Sequence, residues 1–294
     1  MTAVNAFLTA VGVLGVSASG PLMAATAASA MAITFWRNAL ATALIAPTAL
    51  LTRRTELRSL DRRTLALTLT AGALLAAHFA TWVSSLKLTS VASATALVCL
   101  QAGFVVLFDQ MRGNPASRAV VVGLVVSLSG VLVVSGVDFS LSSRALLGDL
   151  LALAGGAFAA AYTIVGGTVR RSVSTTTYTS LCYGTCAVIS LVACLWAGLQ
   201  VTGFDGSTWA AIVGVTVCAQ LLGHSVFNHL LAVVSPTVVS LVLLLEVPGA
   251  ALLAGLFLGQ TPPGGVYVGL ALIMTGLALV VLRGQPAPGE VPLD

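Results

Sequence analysis

Charged residues are so sparse along this chain that the intervals between them read as structural elements. Uncharged runs cover 64–86, 88–108, 119–137 and 150–169, each close to the ~20 residues that a helix needs to cross a bilayer. Three more, 172–204, 206–245 and 247–282, are too long for one crossing and must turn back on themselves. Turn and breaker residues divide the whole into ten predicted helices, at about 4–20, 30–51, 64–86, 90–111, 119–136, 146–169, 176–199, 208–230, 236–258 and 265–282. Gly20-Pro21 ends the first, Thr52-Arg53-Arg54 the second and Arg170-Arg171 the sixth. Gly113-Asn114-Pro115, Ser235-Pro236 and Gly259-Gln260-Thr261-Pro262-Pro263 mark tight connections. No basic residue precedes the first helix, so it lacks the positive start of a cleaved signal peptide.

The pattern repeats. Residues 72–134 align without a gap on 218–280, an offset of 146 that sets His78 on His224, Gly103 on Gly249, Gly123 on Gly269 and Gly130 on Gly276. Leucine matches carry little weight in so apolar a chain, but the chain has only three histidines and two of them coincide. Two homologous halves explain this, the first over 1–143 and the second over 144–283, with five helices each. Five is odd, so the second half enters the membrane from the opposite side. The expected fold is therefore an all-α polytopic membrane protein, with ten transmembrane helices arranged as two inverted five-helix repeats. Secondary transporters place a substrate site between such halves, near the bilayer midplane.

Composition and charge sharpen this. At 58% hydrophobic and 7% charged over 294 residues, the chain is far from the roughly one-quarter charged of soluble domains. With the N-terminus on the cytoplasmic side, the inner segments hold Arg53, Arg54, Arg58, Arg62, Arg63, Arg112, Arg118, Arg170, Arg171 and Arg283, and the outer ones only Lys87 and Arg144. That asymmetry places both termini in the cytoplasm of a cell-membrane protein, and it attributes the basic balance to topology rather than to nucleic-acid binding. The tail, 284–294, with its prolines and acids, is expected to be disordered. The single lysine rules out a G-x-x-x-x-G-K-[ST] phosphate loop, so the chain holds no ATPase domain. Neither H-E-x-x-H nor G-x-S-x-G occurs, and no enzyme activity is expected. The five cysteines fall within spans without a C-x-x-C pair and read as packing residues, so no metal or cofactor is expected.

Polar residues inside the spans are the candidate site, because ionisable groups there are costly. Glu246, mid-way along the ninth helix, is the favoured proton-coupling or substrate-amine group. His78, Thr81 and Trp82 share a face of the third helix, with Ser85 completing it. Gln220, His224 and Asn228 form a stripe at every fourth residue of the eighth. Gln101, Tyr162 and Ser240 complete the expected cavity lining, drawn from helices 1, 3, 4, 6, 8 and 9. Arg37 is assigned a structural or charge-balancing role, with Glu246 as its candidate partner, and His229, without a partner in the repeat, a structural one.

The segments 77–82 (Ala-His-Phe-Ala-Thr-Trp) and 85–93, then Gln220-Leu221-Leu222-Gly223-His224, Phe227-Asn228, 235–240 and Leu245-Glu246, resemble the two halves of an EamA-type transporter of the drug/metabolite transporter superfamily. Phe35-Trp36-Arg37 is similar to the family's second-helix signature. The resemblance covers all ten helices. It implies the inverted-repeat fold, a central cavity and export of small metabolites such as amino acids in exchange for protons, the partners being a small-molecule substrate, protons and the lipid bilayer. Uptake or facilitated diffusion, a non-transporting scaffold and a membrane enzyme are the alternatives. Against the family pattern, Gln101 replaces a proline of the first repeat, which is expected to straighten the fourth helix, and Pro248 is displaced by one place. The Gly-Glu that ends helices 4 and 9 in the family is Gly113-Asn114 and Gly259-Gln260 here, which leaves coupling to Glu246.

Overall fold

The computed structural model describes residues 3–24, 26–89, 91–135, 142–258 and 264–283. The 259–263 turn and the 284–294 tail lie outside them. Among the described residues every regular element is helical: α1 (Ala3–Ser17), α2 (Ser19–Ala24), α3 (Ala30–Thr52), α4 (Arg54–Ser59), α5 (Arg62–Ser85), α6 (Val91–Val98), α7 (Gln101–Met111), α8 (Arg118–Ser135), α9 (Ser143–Arg170), α10 (Thr175–Trp196), α11 (Gly206–Val215), a π-helical stretch Thr216–His224, α12 (Ser225–Leu230), α13 (Pro236–Leu243), α14 (Glu246–Leu258) and α15 (Gly264–Arg283). Seven helical stretches within this set are long and apolar enough to cross a membrane: Ala3–Met23, Arg62–Ser85, Ser93–Met111, Ser143–Arg170, Thr175–Trp196, Gly206–Leu230 and Gly264–Leu282. α3 is also long enough, at 23 residues, but Arg37, Asn38 and its threonines dilute its apolar character.

Helix starts follow local chemistry. Ser29, Asp61, Ser142, Ser174, Asp205 and Ser235 each accept a backbone N–H of the first turn they precede, satisfying donors that have no partner in their own helix. Gly20-Pro21 does not end the first span. The chain bends at Ala18 instead, and Pro21 sits in the first turn of α2, where a missing N–H costs nothing.

Small residues set how closely the helices approach. A Cβ on Gly72 of α5 would fall 2.6 Å from the carbonyl oxygen of Cys182 on α10. One on Gly130 of α8 would fall 2.6 Å from that of Gly269 on α15. Lipid tails are as apolar as leucine, so this close van der Waals packing is the main force holding such helices together.

Two helical runs are broken. α6 and α7 meet at Cys99–Leu100, and α13 and α14 at Leu244–Leu245. At the second break Pro248 cannot donate to the Leu244 carbonyl, and the chain tightens through Leu244 N–H to Leu241 O and Leu245 N–H to Val242 O. The first break contradicts the straight fourth helix expected from Gln101. Gly156 of α9 packs close to it, where an added Cβ would fall 2.9 Å from the Val98 carbonyl, and Leu100 N–H to Leu97 O and Ala102 N–H to Cys99 O follow the tighter pattern without any proline. Gln101 is the first residue of the second half-helix.

On the side of the arginine-rich loops, Glu56 of α4 clasps the start of α10. Its Oε1 accepts the Ser174 N–H at 2.6 Å, and its Oε2 accepts the hydroxyls of Ser174 (2.7 Å) and Thr177 (3.0 Å). Partial burial works to raise the Glu56 carboxyl, but these bonds and the Arg53 charge outweigh it and hold the group below the ordinary carboxylate value. A lowered folded-state value means stability present above the unfolded value and lost as pH falls through the folded one. Glu56→Gln should therefore cost on the order of 1 kcal/mol at neutral pH, after allowing for solvent screening. The difference in melting temperature from wild type should be clear at pH 7 and should shrink on acidification through and below the ordinary carboxylate range. An equal difference at both pH values would contradict the assignment.

Candidate functional site

A small cavity of about 50 Å³ of water-accessible space opens between six helical segments. Val16 and Ser19 of α1 and α2, His78 and Trp82 of α5, and Val98, Cys99 and Gln101 at the first break form part of its wall. Ala159, Tyr162 and Thr163 of α9, His224, Phe227, Asn228 and Leu231, then Val239, Leu243 and Glu246 around the second break, complete it. Of the sequence-predicted residues, His78, Trp82, Gln101, Tyr162, His224, Asn228 and Glu246 line it.

The two repeat-related histidines come together, their rings 6.4 Å apart between centroids. His78 stacks on Trp82 (5.7 Å, 10° between planes) and holds the Gly155 carbonyl through Nδ1 at 2.9 Å. A carbonyl only accepts, so Nδ1 carries the hydrogen and Nε2 keeps its lone pair. His224 meets the edge of Phe79 at 5.2 Å and stands 6.3 Å from the Tyr162 ring.

Glu246 opens α14, where the free N–H groups and the positive end of the helix dipole favour a carboxylate. Its Oε1 accepts the Ser19 hydroxyl at 3.0 Å. Ser19 was missed by sequence reasoning, because a serine beside Gly20-Pro21 reads as a turn residue and its partner is 227 positions away.

Three predicted residues lie outside the lining. Thr81 returns its hydroxyl to the carbonyls of Ala77 and His78, and Ser240 to that of Thr237, so both satisfy their own helices. Gln220 departs for a different reason. The π-helical stretch, closed by Ser225 N–H to Gln220 O, holds an extra residue per turn and turns Gln220 away from the face of His224 and Asn228. Its Oε1 instead accepts Arg37 Nε at 2.8 Å and its amide donates to Asn38 at 3.2 Å. Arg37 is fully buried, its guanidinium 4.1 Å from the centre of the Phe79 ring, and no ion pair joins it to Glu246 among the described residues. The direct contacts of the Arg37 guanidinium are with Gln220 and an aromatic face rather than with Glu246.

A hydrogen-bond chain leads from the cavity to this cluster, and its directions are fixed. Tyr162 donates to Asn228 Oδ1 (2.7 Å), and Asn228 Nδ2 donates to the Tyr183 hydroxyl (3.1 Å). The hydrogen of Ser225 goes to the Gln220 carbonyl, so Tyr183 donates to Ser225 (3.1 Å). Tyr183 is thus part of the scaffold that orients Asn228. His229 lies away from the cavity. Thr175 accepts from Arg170 and shares a hydrogen bond with His229 Nδ1 at 3.2 Å.

Comparison with known proteins agrees with this architecture. The profile of the EamA-like transporter family matches residues 146–282. An uncharacterized transporter of Archaeoglobus fulgidus is 23% identical over 202 residues, covering 68% of this chain and 70% of the relative. A protein of known crystal structure shares the fold at a TM-score of 0.78, with 19% identity and coverage of 97% of this chain and 98% of the other. The profile match over the second half and the transporter relative converge: the chain is similar to EamA-like transporters, and its apolar helices make it a multi-pass membrane protein.

Proposed function

We propose that this protein is a secondary active transporter that exports small amphipathic metabolites, amino acids or related compounds, across the cell membrane in exchange for protons, by alternating access. The observation that carries the reading is Glu246, a carboxylic acid lining a cavity between two broken helices, with one oxygen held by Ser19. A bare carboxylate at that depth costs roughly 2.5–3.5 kcal/mol on insertion scales. A proton or a bound substrate removes the charge, which couples occupancy to movement.

Ten spans in two inverted halves, 1–143 and 144–283, are part of the proposal, and the packing supports it. α5, in the third span, lies along α9, in the sixth, while α1, in the first, lies on the π-helical stretch of the eighth. A twofold axis between the halves carries one of these contacts onto the other, and maps the close pairs α3–α10 and α8–α15 onto themselves. Both termini then face the cytoplasm, with the basic loops.

Purified protein in sealed liposomes tests the function. Movement of solute driven by a pH gradient supports it, whereas solute that is chemically altered or not moved at all contradicts it. In the same system His78→Ala should weaken substrate binding five- to tenfold, about 1–1.4 kcal/mol. Wild-type affinity would return His78 to a packing role.

A further inference from the structure

We infer that the substrate is a monocation, an organic amine with an apolar or planar group and no carboxylate, and that it alternates with a single proton on Glu246, making the exchange electroneutral. This rests on proton-coupled transport as proposed above and narrows its substrate class.

The charge inventory of the cavity is the first ground. Among the described lining residues Glu246 is the one acid, and neither lysine nor arginine lines the wall. The buried cation Arg37 is not part of this lining: its guanidinium lies over the Phe79 ring, with Nε on Gln220, Nη1 on Met23 Sδ and Nη2 without a hydrogen-bond partner among the described residues. A substrate ammonium meets a carboxylate here; a substrate carboxylate meets no fixed cation and would be desolvated without a partner.

Hydrogen bonding is the second. Ser19 occupies Oε1 of Glu246, and no described residue donates to Oε2, which leaves an acceptor for a ligand N–H. The stacked His78–Trp82 pair offers a flat wall for an apolar or aromatic group and, through Trp82, a face attractive to a cation. The groups that share the cavity with Glu246 are Ser19 from α2, Cys99 and Gln101 from the first break, His78 from α5, Tyr162 from α9 and His224 from the π-helical stretch. Of these the histidines are the side chains that could take on a positive charge. A protonated histidine would repel the ligand, so the cation binds with both rings neutral.

Stoichiometry follows. The carboxylate is neutralised by one proton or by one monocation, and each loaded form is neutral. A cycle that exchanges one for the other moves no net charge, so a pH gradient drives it and a membrane potential does not.

Phenethylamine and phenylalanine, which differ by the carboxylate alone, test the class. The amine should raise the melting temperature of the purified protein with at least tenfold tighter apparent affinity than the amino acid, and Glu246→Gln should abolish that shift. Glu246→Asp, which keeps a carboxylate, should retain a weakened shift, and a cooperative melt of the unliganded Glu246→Gln protein near the wild-type temperature guards against misfolding of the first variant. Equal shifts, no shift with the amine, or a shift that survives Glu246→Gln overturn the inference. In proteoliposomes, flux of a permanently charged analogue, phenyltrimethylammonium, under a pH gradient should be unchanged when potassium and valinomycin impose a potential. A flux that follows the potential overturns the electroneutral cycle. Amine binding through Glu246 without gradient-driven flux of either kind upholds the binding site and refutes the transport reading instead.

Discussion

Glu246→Gln is expected to abolish pH-gradient-driven transport while the protein still folds, a loss of at least a hundredfold in the gradient-dependent rate of labelled substrate. The substituted amide keeps the size of the side chain and an oxygen for the Ser19 hydroxyl, whose bond at 3.0 Å ties the second break to α2. What disappears is the ability to exist in charged and neutral forms, and with it the link between proton occupancy and movement. Substrate flowing down its own gradient can persist at a reduced rate. Gradient-driven transport that continues unchanged would remove Glu246 as the coupling group.

Gly276→Val is expected to be the most damaging substitution for the fold. A Cβ at Gly276 meets the Gly123 carbonyl oxygen and the Ser127 hydroxyl, and Ser127 itself donates to the Ile273 carbonyl at 3.2 Å. The α8–α15 contact is built from backbone against backbone, so two bulky methyl groups must force the helices apart and forfeit the dispersion contacts along both. Overpacking costs about 1–3 kcal/mol, and the melting temperature in detergent should fall by about 5 °C or more. Gly264→Ala, at the start of the same helix where a Cβ meets no atom within 4 Å, is the control and should leave it nearly unchanged.

These sites were unequally legible in the sequence. Uncharged runs show where apolar helices begin and end to within a few residues, because length and charge are local properties. The 146-residue offset pairs His78 with His224 in the sequence, and their rings stand 6.4 Å apart, a proximity that no single segment shows. Breaks and turns of helix depend instead on what packs against them. At Cys99–Leu100 Gly156, from another helix, packs close to the break, and a rule based on a missing proline reads it wrongly. The π-helical stretch Thr216–His224 has no breaker of its own. Gly15 of α1 packs against it so closely that a Cβ there would meet the Cys218 carbonyl oxygen, and the extra residue sends Gln220 to Arg37 rather than to the cavity. A stripe drawn at every fourth residue cannot anticipate that. Ser19 was invisible for the same reason: its role lies in a contact with a carboxylate far along the chain.

The most direct test of the central claim is to record pH inside sealed proteoliposomes, with a trapped pH-sensitive dye, while phenyltrimethylammonium, a quaternary amine that cannot cross the bilayer as a neutral base, is added outside. Coupled exchange predicts a substrate-dependent rise in internal pH as protons leave, saturating with amine concentration, absent in protein-free vesicles and absent with Glu246→Gln. Uptake of the same amine with no movement of protons beyond that of protein-free vesicles would contradict the account.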